Sequence, residues 1–158
     1  MEILNTTAAI CSIIGIIFSF TAAVQASRAS KSASAAHAAT LIRSLSDDLQ
    51  LACTHGEQLV DYLKHSRYKE AYLRINELIW SLSELPHRRS PNLSTKNKNI
   101  LLSSRYQLTT ISDAFDKYDK KIKAFDTEQI IKVARKVTMN IREVLGEIRS
   151  DIEHGEPQ

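Results

Sequence analysis

Near the C-terminus the chain reads Arg149-Ser150-Asp151-Ile152-Glu153-His154, an arginine followed by four residues and a histidine. An arginine can stabilise the charge that builds on a phosphate under attack, and an imidazole titrating near neutral pH can move the proton of a ribose hydroxyl. Arg149 and His154 are therefore the residue types that RNA cleavage requires. The same two cations also suit a helix C-terminus, where they face the partial negative charge of unpaired carbonyls. A second group is uniformly basic: His87, Arg88, Arg89, Lys96, Lys98 and Arg105 lie in a stretch with no acidic residue. Such a patch can hold RNA or anionic lipid head groups, with Arg88, Arg89, Lys96 and Lys98 as the contacts. Apart from Tyr106 it has no aromatic side chain for stacking on bases, and a solvated loop would have the same composition.

Other chemistries lack their residues. The 4 glycines are scattered, so no loop is built to cradle phosphate. Cys11 and Cys53 have no histidine at metal-ligand spacing, and His37, His55 and His65 stand alone. An ATPase, a metalloenzyme and a cysteine hydrolase are disfavoured, and neither a metal nor a cofactor is expected. Two lone cysteines are not a disulfide framework, which suits a reducing compartment.

The elements that would position these groups begin with an apolar run, Ile3 to Ala26. A bilayer core of about 30 Å needs roughly 20 helical residues, so residues 1–27 are expected to form a transmembrane helix. A cleaved signal peptide is disfavoured, because Glu2 and no Lys or Arg precedes the apolar core. Arg28, Lys31 and Arg43 follow the run, which places the N-terminus outside and the remainder in the cytoplasm. Ala8, Ser12, Gly15, Ser19, Ala22 and Ala26 recur at alternating steps of four and three, and Ala29, Ala33, Ala36 and Thr40 continue the register. That period keeps a small-residue stripe on one face of a left-handed supercoil, where helix backbones can approach closely.

Residues 28–40 are almost wholly alanine and serine and are expected to form a helical stalk. Residues 41–158 show helical spacing throughout and no strand alternation, so the fold class is all-α, with about four helices in the bundle. Leu41 to Leu63 should complete the first helix, with Gly56 as a potential break. The second should cover Tyr68 to Leu85 and stop at Pro86. The third should run from about Asn99 to Phe125, with Leu101 and Leu102 inward. The fourth should start at an Asp126 N-cap and keep Ile152 inside. Gly146 is expected to mark close packing, and Trp80 to be a packing residue beside the core stripe. The net charge of +3 suits membrane or RNA without selecting either.

With one apolar N-terminal helix, a small-residue stalk, a helical bundle and Arg149 and His154 near its end, the chain resembles the small membrane accessory proteins of type VI-B CRISPR systems, which carry a divergent HEPN-like bundle. The resemblance is architectural over nearly the whole chain, and Arg149 and His154 alone support it at motif level. It implies a single-pass protein of a bacterial inner membrane that enhances RNA-guided antiviral defence by disturbing that membrane. It implies a homo-oligomeric ring, of about eight copies, with an RNA-guided RNA nuclease as functional partner. Ser12, Gly15, Ser19, Ala22 and Ala26 would then line a pore or pack helix on helix. Arg28 and Lys31 would set charge at its inner mouth. HEPN enzymes often place Asn, Asp or His directly after the arginine, where this chain has Ser150. A membrane-tethered ribonuclease and a non-enzymatic membrane scaffold or toxin-like protein are the alternatives.

Overall fold

The computed structural model describes the backbone of residues 2–88, 93–119 and 126–154, and the side chains of 19–87, 93–117 and 126–153. Four helices follow in order, α1 (Glu2–Lys64), α2 (Tyr68–Arg88), α3 (Thr95–Asp119) and α4 (Thr127–His154), with no strand among the described residues. By its internal contacts the chain divides into Met1–Thr40 and Leu41–Gln158.

In Met1–Thr40 the backbone is helical from Glu2 onward, and every described side chain from Ser19 to Thr40 is exposed except the half-buried Val24. Alanine stabilises this segment as a helix without burial, since it loses no side-chain entropy. Among the described residues no helix is long and apolar enough to cross a membrane. The side chains of Ile3 to Phe18, which carry most of the expected span and include Ser12 and Gly15, lie outside the described residues.

In Leu41–Gln158 the four helices bury one apolar cluster. Leu45, Leu49, Leu59 and Leu63 come from α1, and Ile75, Leu78 and Leu82 from α2. Leu101, Leu108 and Phe115 come from α3, and Val137, Ile141, Val144 and Ile148 from α4. Helix α3 packs against both α2 and α4. Tyr72 and Tyr68 set their rings 6.0 and 6.3 Å from that of Phe115. Polar pairs cross the helices as well: Ser112 donates to Asn76 at 3.4 Å, and Asn140 to Ser104 at 3.0 Å.

Several boundaries and packing assignments differ from the sequence expectation, each for a local reason. Gly56 does not break α1, which runs on to Lys64; it is buried where α1 meets Thr138 of α4. Pro86 does not end α2; it sits in the last turn of a helix that continues to Arg88. Helix α3 starts at Thr95 rather than near Asn99, because Ser94 caps it: its hydroxyl accepts the Asn97 N–H at 3.2 Å. The expected N-cap of α4 is present, with the Asp126 carboxylate accepting from Gln129 N–H at 3.0 Å. Leu102 and Ile152 are exposed at 40% and 46%, because their neighbours Leu101 and Ile148 already fill the inward positions. Gly146 is exposed, and a side chain there would meet nothing within 4 Å, so it does not mark close packing. Trp80 is 64% exposed, on the side of α2 away from Leu78 and Leu82.

The α1–α2 turn has the left-handed cap geometry. Arg67 N–H donates to Tyr62 O at 2.8 Å, Ser66 N–H donates to Leu63 O at 3.2 Å, and Ser66 has φ 57°. Glycine holds that conformation without the clash that a Cβ makes. Ser66→Gly relieves that clash but gives up the side-chain hydrogen bond between Ser66 and Tyr68, so urea titration is expected to show a net change within about 1 kcal/mol of zero.

Candidate functional site

Arg149 lies on the exposed side of α4 and donates from its guanidinium to Gln50 Oε1 of α1 at 3.0 Å. About two turns earlier, Arg142 donates to Glu57 of α1 at 2.5 Å. The two contacts lace α1 antiparallel along α4. Arg149 therefore has a structural partner in its own chain, and the His154 side chain lies outside the described residues. Buried Cys53 of α1 lies within electrostatic reach of both arginines: burial pushes its thiol up, only partly offset by Arg142 and Arg149, so it stays protonated at neutral pH.

The basic stretch around α3 is divided by the fold. Lys96 reaches across to α4, 2.5 Å from Glu147 and 3.3 Å from Glu143, and the same hydrogen bond holds the Glu147 carboxyl below its ordinary value. Lys98 is half-buried, while His87 and Arg105 are exposed. Arg89 and the Arg88 side chain lie outside the described residues. Of the other residues expected at a pore, Ser19, Ala22, Ala26, Arg28 and Lys31 are exposed on helical backbone. Among the described residues no group of three His, Cys, Asp or Glu is placed to hold a metal ion.

Two features of α4 escape a reading for catalytic motifs. Arg135, Arg142 and Arg149 repeat every seven residues, all exposed, with Met139 and Gly146 between them. Beside them Glu57, Val60, Asp61, Lys64, Arg135, Thr138, Met139 and Arg142 line a shallow hollow of about 400 Å3. The seven-residue interval was visible in the sequence, but only burial shows which face of the helix it occupies.

His55 of α1 faces α2. Burial holds its imidazole below the ordinary histidine value, Arg74 adds to the shift, and Glu77 opposes it. The folded chain thus prefers neutral His55, while the unfolded chain binds a proton below about 6.5. The stability is complete above that value and falls as pH drops from it toward the depressed folded value. Thermal unfolding between pH 7.5 and 5 should show this loss, and His55→Gln should flatten that part of the profile.

No family model matches the chain, and no curated protein or solved structure is significantly similar to it.

Proposed function

We propose that this is an oligomeric, pore-forming membrane protein that enhances RNA-guided antiviral defence by perturbing the inner membrane. The observation that carries this reading is the small-residue register from Ala8 to Thr40, set on one helix that runs from Glu2 to Lys64 and supplies core residues to the bundle. Ser12, Gly15 and Ser19 are small enough to line a water-filled path, and Arg28 and Lys31 follow the apolar run, where they favour anions. The N-terminus lies outside and the bundle in the cytoplasm, beside the RNA-guided nuclease whose action it strengthens. Arg149 and His154 hold subunits or partner together rather than cleave RNA, a reading that rests on their place at the end of α4.

Full-length protein reconstituted into dye-loaded vesicles tests the reading. Ion flux is expected from the intact chain and none from the chain lacking residues 1–27. A silent intact chain would leave a membrane scaffold. RNA cleavage that disappears in His154→Ala with the assembly intact would instead establish a tethered ribonuclease.

A further inference from the structure

Three of the largest exposed apolar side chains of the bundle stand on two rows of matching period. On α2 the row is Glu70, Leu73, Glu77, Trp80 and Glu84, at steps of three, four, three and four. On α4 it is Arg135, Met139, Arg142, Gly146 and Arg149, at steps of four, three, four and three. Leu73 and Trp80 are each 64% exposed and Met139 is 66% exposed, each set between charged residues of its row. A row with a mean step of 3.5 residues stays on the contact line of two supercoiled helices over its whole length.

We propose that the α2 face of one molecule docks antiparallel on the α4 face of a second copy of this chain. Reversing α2 makes the two sets of steps identical. Glu84 then meets Arg135, Trp80 meets Met139, Glu77 meets Arg142, Leu73 meets Gly146 and Glu70 meets Arg149. Each carboxylate faces a guanidinium at intervals of about 10.5 Å along both helices. The indole lies against a thioether, a favourable contact for both. Leu73 enters the open space over Gly146, where even a methyl group would touch nothing within 4 Å.

Charge complementarity selects this occupant. A polyanion would satisfy the arginine row and leave Leu73 and Trp80 in water; a second copy satisfies both rows at once. Leu73, Glu77 and Trp80 of one row and all five residues of the other are exposed within one chain, with Glu70 and Glu84 half-buried at the ends of the first, so the contact forms between molecules. It joins unlike faces and therefore continues from copy to copy. Several of these side chains already have partners within the chain. Glu70 pairs with Arg67 and Arg142 with Glu57 at the surface, where such pairs are weak; Glu77 pairs with the half-buried Arg74, Arg149 donates to Gln50, and Glu84 also has a partner within the chain, so the contact must add to these bonds or exchange with them. A guanidinium has five N–H donors, enough for Arg142 to keep Glu57 and accept Glu77 of a second copy as an added partner. The contact deepens the self-assembly proposed above, but it uses the bundle rather than the first helix, so the two can fail separately.

The test uses the full chain in detergent. Trp80 is the only tryptophan, so its emission reports this face directly. With dilution, the emission should shift to the red as the particle mass falls. Glu77→Arg and Arg142→Glu should each lower the mass, and the double variant Glu77→Arg/Arg142→Glu should restore it. Leu73→Cys combined with Gly146→Cys, with Cys11 and Cys53 replaced by serine and alanine, should form disulfides between chains on oxidation, and neither cysteine alone should form the ladder. A wild-type chain that is monomeric at every concentration overturns the proposal. So does an oligomer that neither charge reversal disturbs, a double variant that stays dissociated, or an oligomer that gives no cross-link. Vesicle flux lost with the cross-link retained counts against the pore alone, and flux retained without the cross-link counts against the docking face alone.

Discussion

Gly56→Val is expected to destabilise the bundle by about 1–3 kcal/mol, the usual cost of forcing extra volume into a packed contact. A Cβ at position 56 would lie 3.2 Å from both Cβ and Cγ2 of Thr138, and closer still to its Oγ1. The hydroxyl is not free to swing aside without loss, since it donates to Ala134 O at 2.9 Å. Cβ is fixed to the α4 backbone, so relief requires the two helices to move apart. That motion would loosen the shared core to which Ala52 and Leu59 of α1 and Val137 and Ile141 of α4 contribute. Thr138→Ala removes Oγ1 and Cγ2 and leaves only the Cβ contact. In chemical denaturation the double variant should therefore cost clearly less than the sum of the two single ones. Additive losses would show that the two positions do not share a packing constraint.

Gly15→Trp is expected to abolish ion flux in the vesicle assay while leaving the bundle folded. Gly15 stands between Ser12 and Ser19 in the small-residue register, and an indole there either fills the path or drives neighbouring helices apart. Gly15→Ala should retain most of the flux, because alanine already occupies positions 8, 22 and 26 of the same register. Thermal unfolding, followed by helical content, should be the same for all three proteins. Undiminished flux in Gly15→Trp would remove the stripe from the conducting path.

The helices of the bundle were legible from periodicity where burial alone sets the pattern. Ala71, Ile75, Leu78, Leu82 and Leu85 are all buried, as their spacing requires, and the Asp126 cap stands where its side-chain chemistry places it. Periodicity was less informative where two apolar residues adjoin, as at Leu101 and Leu102, since a helix can turn only one of them fully inward. Gly56 marks the close packing expected of Gly146, and Gly146 marks none, for a related reason. A glycine's meaning depends on what lies across from it, and Thr138 is 82 positions away from Gly56 in the sequence. Trp80 falls beside the core stripe and its position suggests packing, yet Leu78 and Leu82 already fill the core at that level of α2. The Arg149 motif could be found by spacing, but the bond to Gln50 could not, because it depends on how α1 runs along α4.

The proposed function requires that the first helix hold this chain in a bilayer. Membranes from cells expressing the full chain, washed in alkaline carbonate, test it most directly. The full chain is expected to stay with the membrane pellet, and the chain lacking residues 1–27 to be released. Release of the full chain into the supernatant would contradict it.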